Sequence, residues 1–145
     1  MIRLALLAAI TLLGACPKPP TSAHCVSNTE LQWKRIDDYN DKYQHGKPGE
    51  PKPSGAVYWS RYYLETARFV LTGKGIDGSG GACTAADHDS KDYKRLKLGL
   101  AEREKKVKWM ESERGVTFVS AGKGGIVWSW VKDGQPVANN DANTL

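Results

Sequence analysis

The sequence predicts an α+β fold that is mainly α, with a three-helix core and a C-terminal β-hairpin. Two observations carry the prediction. Three segments, about 28–44, 55–72 and 88–114, set apolar residues at helical spacing with charges between them. After Gly115 the composition switches to two short runs of β-branched and aromatic residues, 116–120 and 126–131. The 145 residues are enough for one domain with a modest core, and the globular part is expected to cover 27–137.

The first helix is announced by Ser27-Asn28-Thr29-Glu30, a capping box in which hydroxyl and carboxylate satisfy each other's backbone donors. Trp33, Ile36, Tyr39 or Asn40, and Tyr43 then recur at helical spacing, with Lys34, Arg35, Asp37, Asp38, Asp41 and Lys42 opposite. His45-Gly46 closes the helix, with glycine suited to the left-handed C-terminal cap. Pro48, Pro51 and Pro53 make the next stretch a stiff surface connection.

Residues 54–72 form the most apolar helix of the domain. Val57, Leu64, Ala67, Val70 and Leu71 are joined by Tyr58, Trp59, Tyr62 and Tyr63, while Arg61, Glu65 and Arg68 make its one clear polar stripe. A helix apolar on most sides is central to its domain. The aromatic residues serve either core packing or an interface. The glycine-rich segment 73–83 turns the chain; it follows a helix and lacks the GxxxxGK[ST] spacing, which argues against phosphate binding.

Asp87, His88, Asp89 and Asp92 are the chain's densest group of metal-type ligands. Carboxylates here also suit the positive end of a helix, which is the preferred reading. In the helix that follows, Tyr93, Leu96, Leu100, Val107 and Met110 form one buried stripe, with Arg103 standing where an apolar residue would continue it. Glu102–Lys106 and Glu104–Lys108 are i,i+4 pairs in the better orientation. Gly99 marks a bend or a close contact. In the hairpin, Trp128 and Trp130 share a face by alternation. Asp133-Gly134 sets a second tight turn, and residues 135–137 add a short edge strand. Residues 138–145 read as a polar, frayed tail.

The N-terminus, MIRLALLAAITLLGAC, has a basic Arg3 and an apolar run too short to span a bilayer, which needs about 20 residues. Leu13-Gly14-Ala15-Cys16 resembles a bacterial lipobox: an aliphatic residue, two small residues, then cysteine. The resemblance implies that residues 1–15 are a signal peptide and that Cys16 is acylated. Residues 16–26, with Pro17, Pro19 and Pro20, would then be a tether holding the domain off the membrane. An ordinary signal peptide or an uncleaved anchor are the alternatives. The first would leave Cys16 an unexplained thiol, and the second suffers from the short apolar run. With Cys16 set aside, Cys25 and Cys83 remain, and an even pair in an oxidising compartment reads as a disulfide stapling the core. Both cysteines precede expected helix starts, so the bridge should join the beginnings of the first and third helices.

Lys plus Arg number 21 against 16 Asp plus Glu, a net charge of +5, with a pI of 9.1. Such a chain is drawn to anionic surfaces, and the export signal argues against nucleic acid as the partner. The expected function is that of a membrane-anchored envelope lipoprotein facing the periplasm or cell exterior. It would act as a non-enzymatic protein-binding or accessory module, such as an assembly factor, an inhibitor or an immunity-type protein. Its contact surfaces would be Tyr58, Trp59, Tyr62, Tyr63, Trp128 and Trp130, with Lys105, Lys106 and Lys108. The alternatives are a module binding anionic cell-wall polymer or lipid, and an envelope hydrolase using Asp87, His88 and Asp89. No cofactor or metal is expected, and the partners are a membrane, through lipid on Cys16, and an envelope protein.

Overall fold

The computed structural model describes residues 23–76, 81–121 and 127–145. The expected signal peptide, Cys16, the proline-rich residues up to 22, part of the glycine-rich segment and the hairpin loop lie outside the described residues. Helix α1 runs Ala23–His45, α2 Ala56–Thr72 and α3 Lys91–Glu113, with a 3-10 turn at Ala85–Asp89 before α3. Strands β1 (Thr117–Ala121), β2 (Val127–Lys132) and β3 (Gln135–Pro136) form an antiparallel sheet in the order β1-β2-β3, and a short α4 follows at Asn139–Ala142. No helix among the described residues is long and apolar enough to cross a membrane.

The three long helices pack against one another around Ile36, Val57, Leu64, Ala67, Leu96, Val107 and Met110. The buried stripe of α1 is Trp33, Ile36, Asn40 and Tyr43; Tyr39 sits at its edge. Gly99 is a close contact: a Cβ there would lie 3.0 Å from Trp33 Nε1 and 3.2 Å from Arg103 Nη1. Arg103 continues the α3 seam by setting its guanidinium 5.4 Å from the Trp33 ring centre and donating to Asp37 at 2.6 Å.

Four expectations need correction. Helix α1 begins at Ala23, so residues 23–26 are helix and not tether. Ser27 and Glu30 do not close a capping box: the Ser27 hydroxyl donates to His24 O and Glu30 reaches across to Arg95 at 2.6 Å. The physical reason is Cys25, fully buried and bonded to Cys83 with 5.2 Å between Cα atoms, which fixes the first turn of α1 in the core. The third helix does not start at 88. Thr84 opens the 3-10 turn, and Ser90 caps α3 by accepting from Tyr93 N at 3.1 Å.

The C-terminal residues are not a frayed tail. Gly55, at φ 75°, leaves the first N–H groups of α2 without intrahelical partners. The tail supplies the acceptors: Gly55 N donates to Thr144 O at 3.1 Å and Val57 N to Leu145 O at 2.9 Å. Ala142 is buried against the core. The Asp133-Gly134 turn has positive φ at both residues, 52° and 77°, as a type I′ hairpin requires.

Candidate functional site

Two aromatic clusters grow from adjacent residues of α2. Tyr58 turns toward the sheet, with its ring centre 5.2 Å from that of Trp128 and 5.8 Å from that of Trp130. In the β1–β2 register Phe118 stands opposite Trp130, their rings 5.8 Å apart, and Trp128 and Trp130 lie on the same face at 5.2 Å. Trp130 is 1% exposed. Of the aromatic residues expected at a binding surface, Trp130 is therefore core, and Tyr58 and Trp128 are half-buried parts of the sheet's attachment. Alternation places the tryptophans on one face but does not say that the face is covered.

Trp59 meets the Tyr58 ring edge-on, 5.2 Å between centres, but lies on the side of it away from the sheet and is 42% exposed. It stacks on Tyr63, ring centres 6.0 Å apart and planes 29° apart, and meets Tyr62 edge-on at 5.6 Å. The Arg35 guanidinium from α1 lies 4.8 Å from the Tyr63 ring centre, a cation–π contact that holds the lower ring in place. The Trp59–Tyr62–Tyr63 strip is thus an outward aromatic surface whose rings brace one another.

Beneath the sheet-side cluster runs a charge network. Arg61 sits under the sheet, 3% exposed, donating through Nε and Nη2 to both carboxylate oxygens of Glu111 at 2.8 Å. Trp130 Nε1 donates to the same carboxylate at 3.1 Å, and Arg61 also reaches Glu65 at 3.1 Å. The guanidinium lies 4.2 Å from the Phe118 ring centre. Burial disfavours the Arg61 charge, but hydrogen bonds and charge from Glu111, then Glu65, outweigh it and raise the pKa. Arg68 carries the chain of charges from Glu65 at 3.3 Å to Glu104 at 3.6 Å, and Lys108 closes it at 3.3 Å from Glu104. Partial burial pushes the Glu104 pKa up, while Arg68 and Lys108 more than reverse that and hold it below the usual carboxylate value. These residues and β1 line a cleft of about 500 Å³. The network escapes a sequence reading because Arg61 and Glu111 are far apart in the chain. The available signal was a carboxylate beside Met110 in the buried stripe.

The three lysines expected at a surface separate. Lys106 points inward to Asp37 at 2.8 Å and Glu102 at 3.4 Å, so it fastens α3 to α1 and leaves the proposed surface. Lys108 pairs with Glu104, and Lys105 is exposed. The Asp87 group is divided too. Asp87 is buried and accepts from Thr84 N at 2.6 Å and Thr84 Oγ1 at 3.0 Å. His88 is stacked on Tyr93, 4.4 Å between ring centres, and Asp89 faces solvent. Cys25, Cys83 and Asp87 bring potential ligand atoms within 4.8 Å of one another. The two sulfurs are bonded together, so they offer no thiolate to a metal.

Neither a protein-family model, nor a curated protein sequence, nor a solved structure matches this chain.

Proposed function

We propose that this chain is an exported envelope lipoprotein, anchored through Cys16, that works without catalysis by holding a protein partner against the outer face of α2. The observation that carries the reading is the Trp59–Tyr62–Tyr63 strip, where a tryptophan 42% exposed is already braced by Tyr63 and Arg35. Large amphipathic rings held in place before binding give contact area at low entropic cost. The lipobox-like Leu13-Gly14-Ala15-Cys16 supports the anchor, and the Cys25–Cys83 disulfide suits an oxidising compartment. Assembly factor, inhibitor and immunity-type protein all fall within this class. A second reading, binding of an anionic surface, is favoured by the exposed lysines of α3. A hydrolase using Asp87, His88 and Asp89 has less support, because Asp87 is occupied as a turn cap and His88 as a stacking ring.

The test has two arms in the producing cell. Metabolic acyl labelling should mark the wild-type chain and not Cys16→Ser; a labelled variant overturns the anchor. A photo-crosslinking residue at position 59 should give a discrete protein adduct that the same residue at exposed position 34 does not. Equal adducts at both positions, or none at 59, overturn the aromatic face as the binding surface.

A further inference from the structure

Helix α3 has two opposed stripes. Residues 93, 96, 100, 103, 107 and 110 face the bundle. On the far side Lys91, Lys94, Leu98, Ala101, Lys105 and Lys108 recur at alternating spacings of three and four, and all of them are exposed. Four lysines occupy this line and no acid does. The acids elsewhere on the first four turns of α3 are turned to other cations: Asp92 to Arg95 at 3.6 Å, Glu102 to Arg103 and Lys106 at 3.2 and 3.4 Å. Glu104 is shared between Arg68 and Lys108. Lys91, Lys94 and Lys105 have no carboxylate within ion-pair distance among the described residues. The positive charge of Lys91, Lys94 and Lys105 is therefore uncompensated along about 21 Å of helix, at about 1.5 Å per residue.

At the middle of the line stands Leu98, 80% exposed. We infer that this outer face of α3 docks on an anionic phospholipid surface. The lysine ammonium groups meet phosphate headgroups while Leu98 enters the acyl boundary between them, the lysine stems lying along it. An anionic polymer in water would satisfy the lysines equally well but would give Leu98 nothing. In the cell the inference rests on the membrane-anchored reading above. There it supplies a second attachment besides the lipid, the combination that makes membrane binding durable. It also revises the basic surface: Lys106 is out, and Lys91 and Lys94 are in.

The experiment uses the full chain carrying Cys16→Ser, so that acylation cannot contribute, and measures co-sedimentation with two vesicle types. One is phosphatidylcholine alone, and the other includes one quarter phosphatidylglycerol. The N-terminus, with its basic Arg3, is the same in every variant, so the differences between variants isolate the contribution of the α3 face. The unsubstituted face should favour anionic vesicles. Lys91→Gln/Lys94→Gln/Lys105→Gln should weaken that binding about a hundredfold, at roughly fivefold per lysine near the surface. Lys34→Gln/Lys42→Gln/Lys47→Gln, with the same charge change elsewhere, should change it far less. Leu98→Ala should weaken vesicle binding about tenfold and leave binding to soluble heparin unaltered. Equal losses in the two triple variants would reduce the effect to net charge and overturn the inference. Vesicle binding indifferent to Leu98→Ala would also overturn it, in favour of a soluble polyanion. Because every substituted lysine is exposed, all variants should keep the parent's thermal midpoint, which is read in the same samples.

Discussion

Tyr58 and Trp59 are neighbours in sequence, both aromatic, on one helix, and they end in opposite environments. Tyr58 lies against Trp128 and Trp130, beside a guanidinium and a carboxylate shut away from water. Trp59 rests on Tyr63 with its outer side in solvent. The difference comes from one turn angle of about 100° per residue and from the sheet, which covers only one side of α2. On the covered side the aromatic rings seal an ion pair whose geometry is therefore demanding. On the open side the same residue types are braced and left available. Charge follows the same division. Arg61–Glu111 is buried and Arg95–Glu30 is exposed, although both join partners distant in sequence at short range. The hydrogen bond that Arg95 donates to Glu30 raises the Arg95 pKa, yet solvent screening leaves that pair little influence on stability.

Breaking the covered side should have the largest effect. Glu111→Gln removes the charge that balances Arg61 while keeping the shape, and should lower the stability measured by denaturant unfolding by about 3–5 kcal/mol. A loss below ~1 kcal/mol would mean that water reaches the pair. The edge of the network should respond less. Glu104 is partly exposed, so its ion pairs are worth at most about 1 kcal/mol. Its folded pKa lies below its unfolded value of about 4.5. The contribution is thus fully present above that pH and is lost as pH falls through the lowered value. Stability–pH curves of wild type and Glu104→Gln should accordingly be separated near neutrality and converge in acid; parallel curves would contradict the assignment. The smallest effect should come from the open side. Trp59→Phe, which keeps a ring against Tyr63, should change stability by no more than about 0.5 kcal/mol while weakening the position 59 contact with a partner. A loss comparable to that of Glu111→Gln would place Trp59 in the core and erase the contrast.

The three helices, the hairpin and the disulfide were all legible because each leaves a short-range or countable trace. Trp33, Ile36 and Tyr43 repeat at 3.6-residue spacing, Asp133-Gly134 has the residue types of an I′ turn, and two cysteines remain once the one at the lipobox-like motif is removed. The candidate site was legible as a set of residues but not as a surface. Nothing local distinguishes Trp130 from Trp59, or Lys106 from Lys105, because exposure depends on what packs opposite. The capping box at Ser27 was misread for the same reason: a buried Cys25 outweighs a local preference worth about 1 kcal/mol.

By itself the sequence determined periodicity, turn chemistry and the pairing of cysteines, since these depend on residues near one another or on simple counting. The tertiary structure alone decided that Arg61 meets Glu111, that residues 138–145 cap α2, and which aromatic rings and lysines stay in water. Those outcomes join segments far apart in the chain. Their free energy comes from desolvation and long-range contact, and no local pattern encodes either.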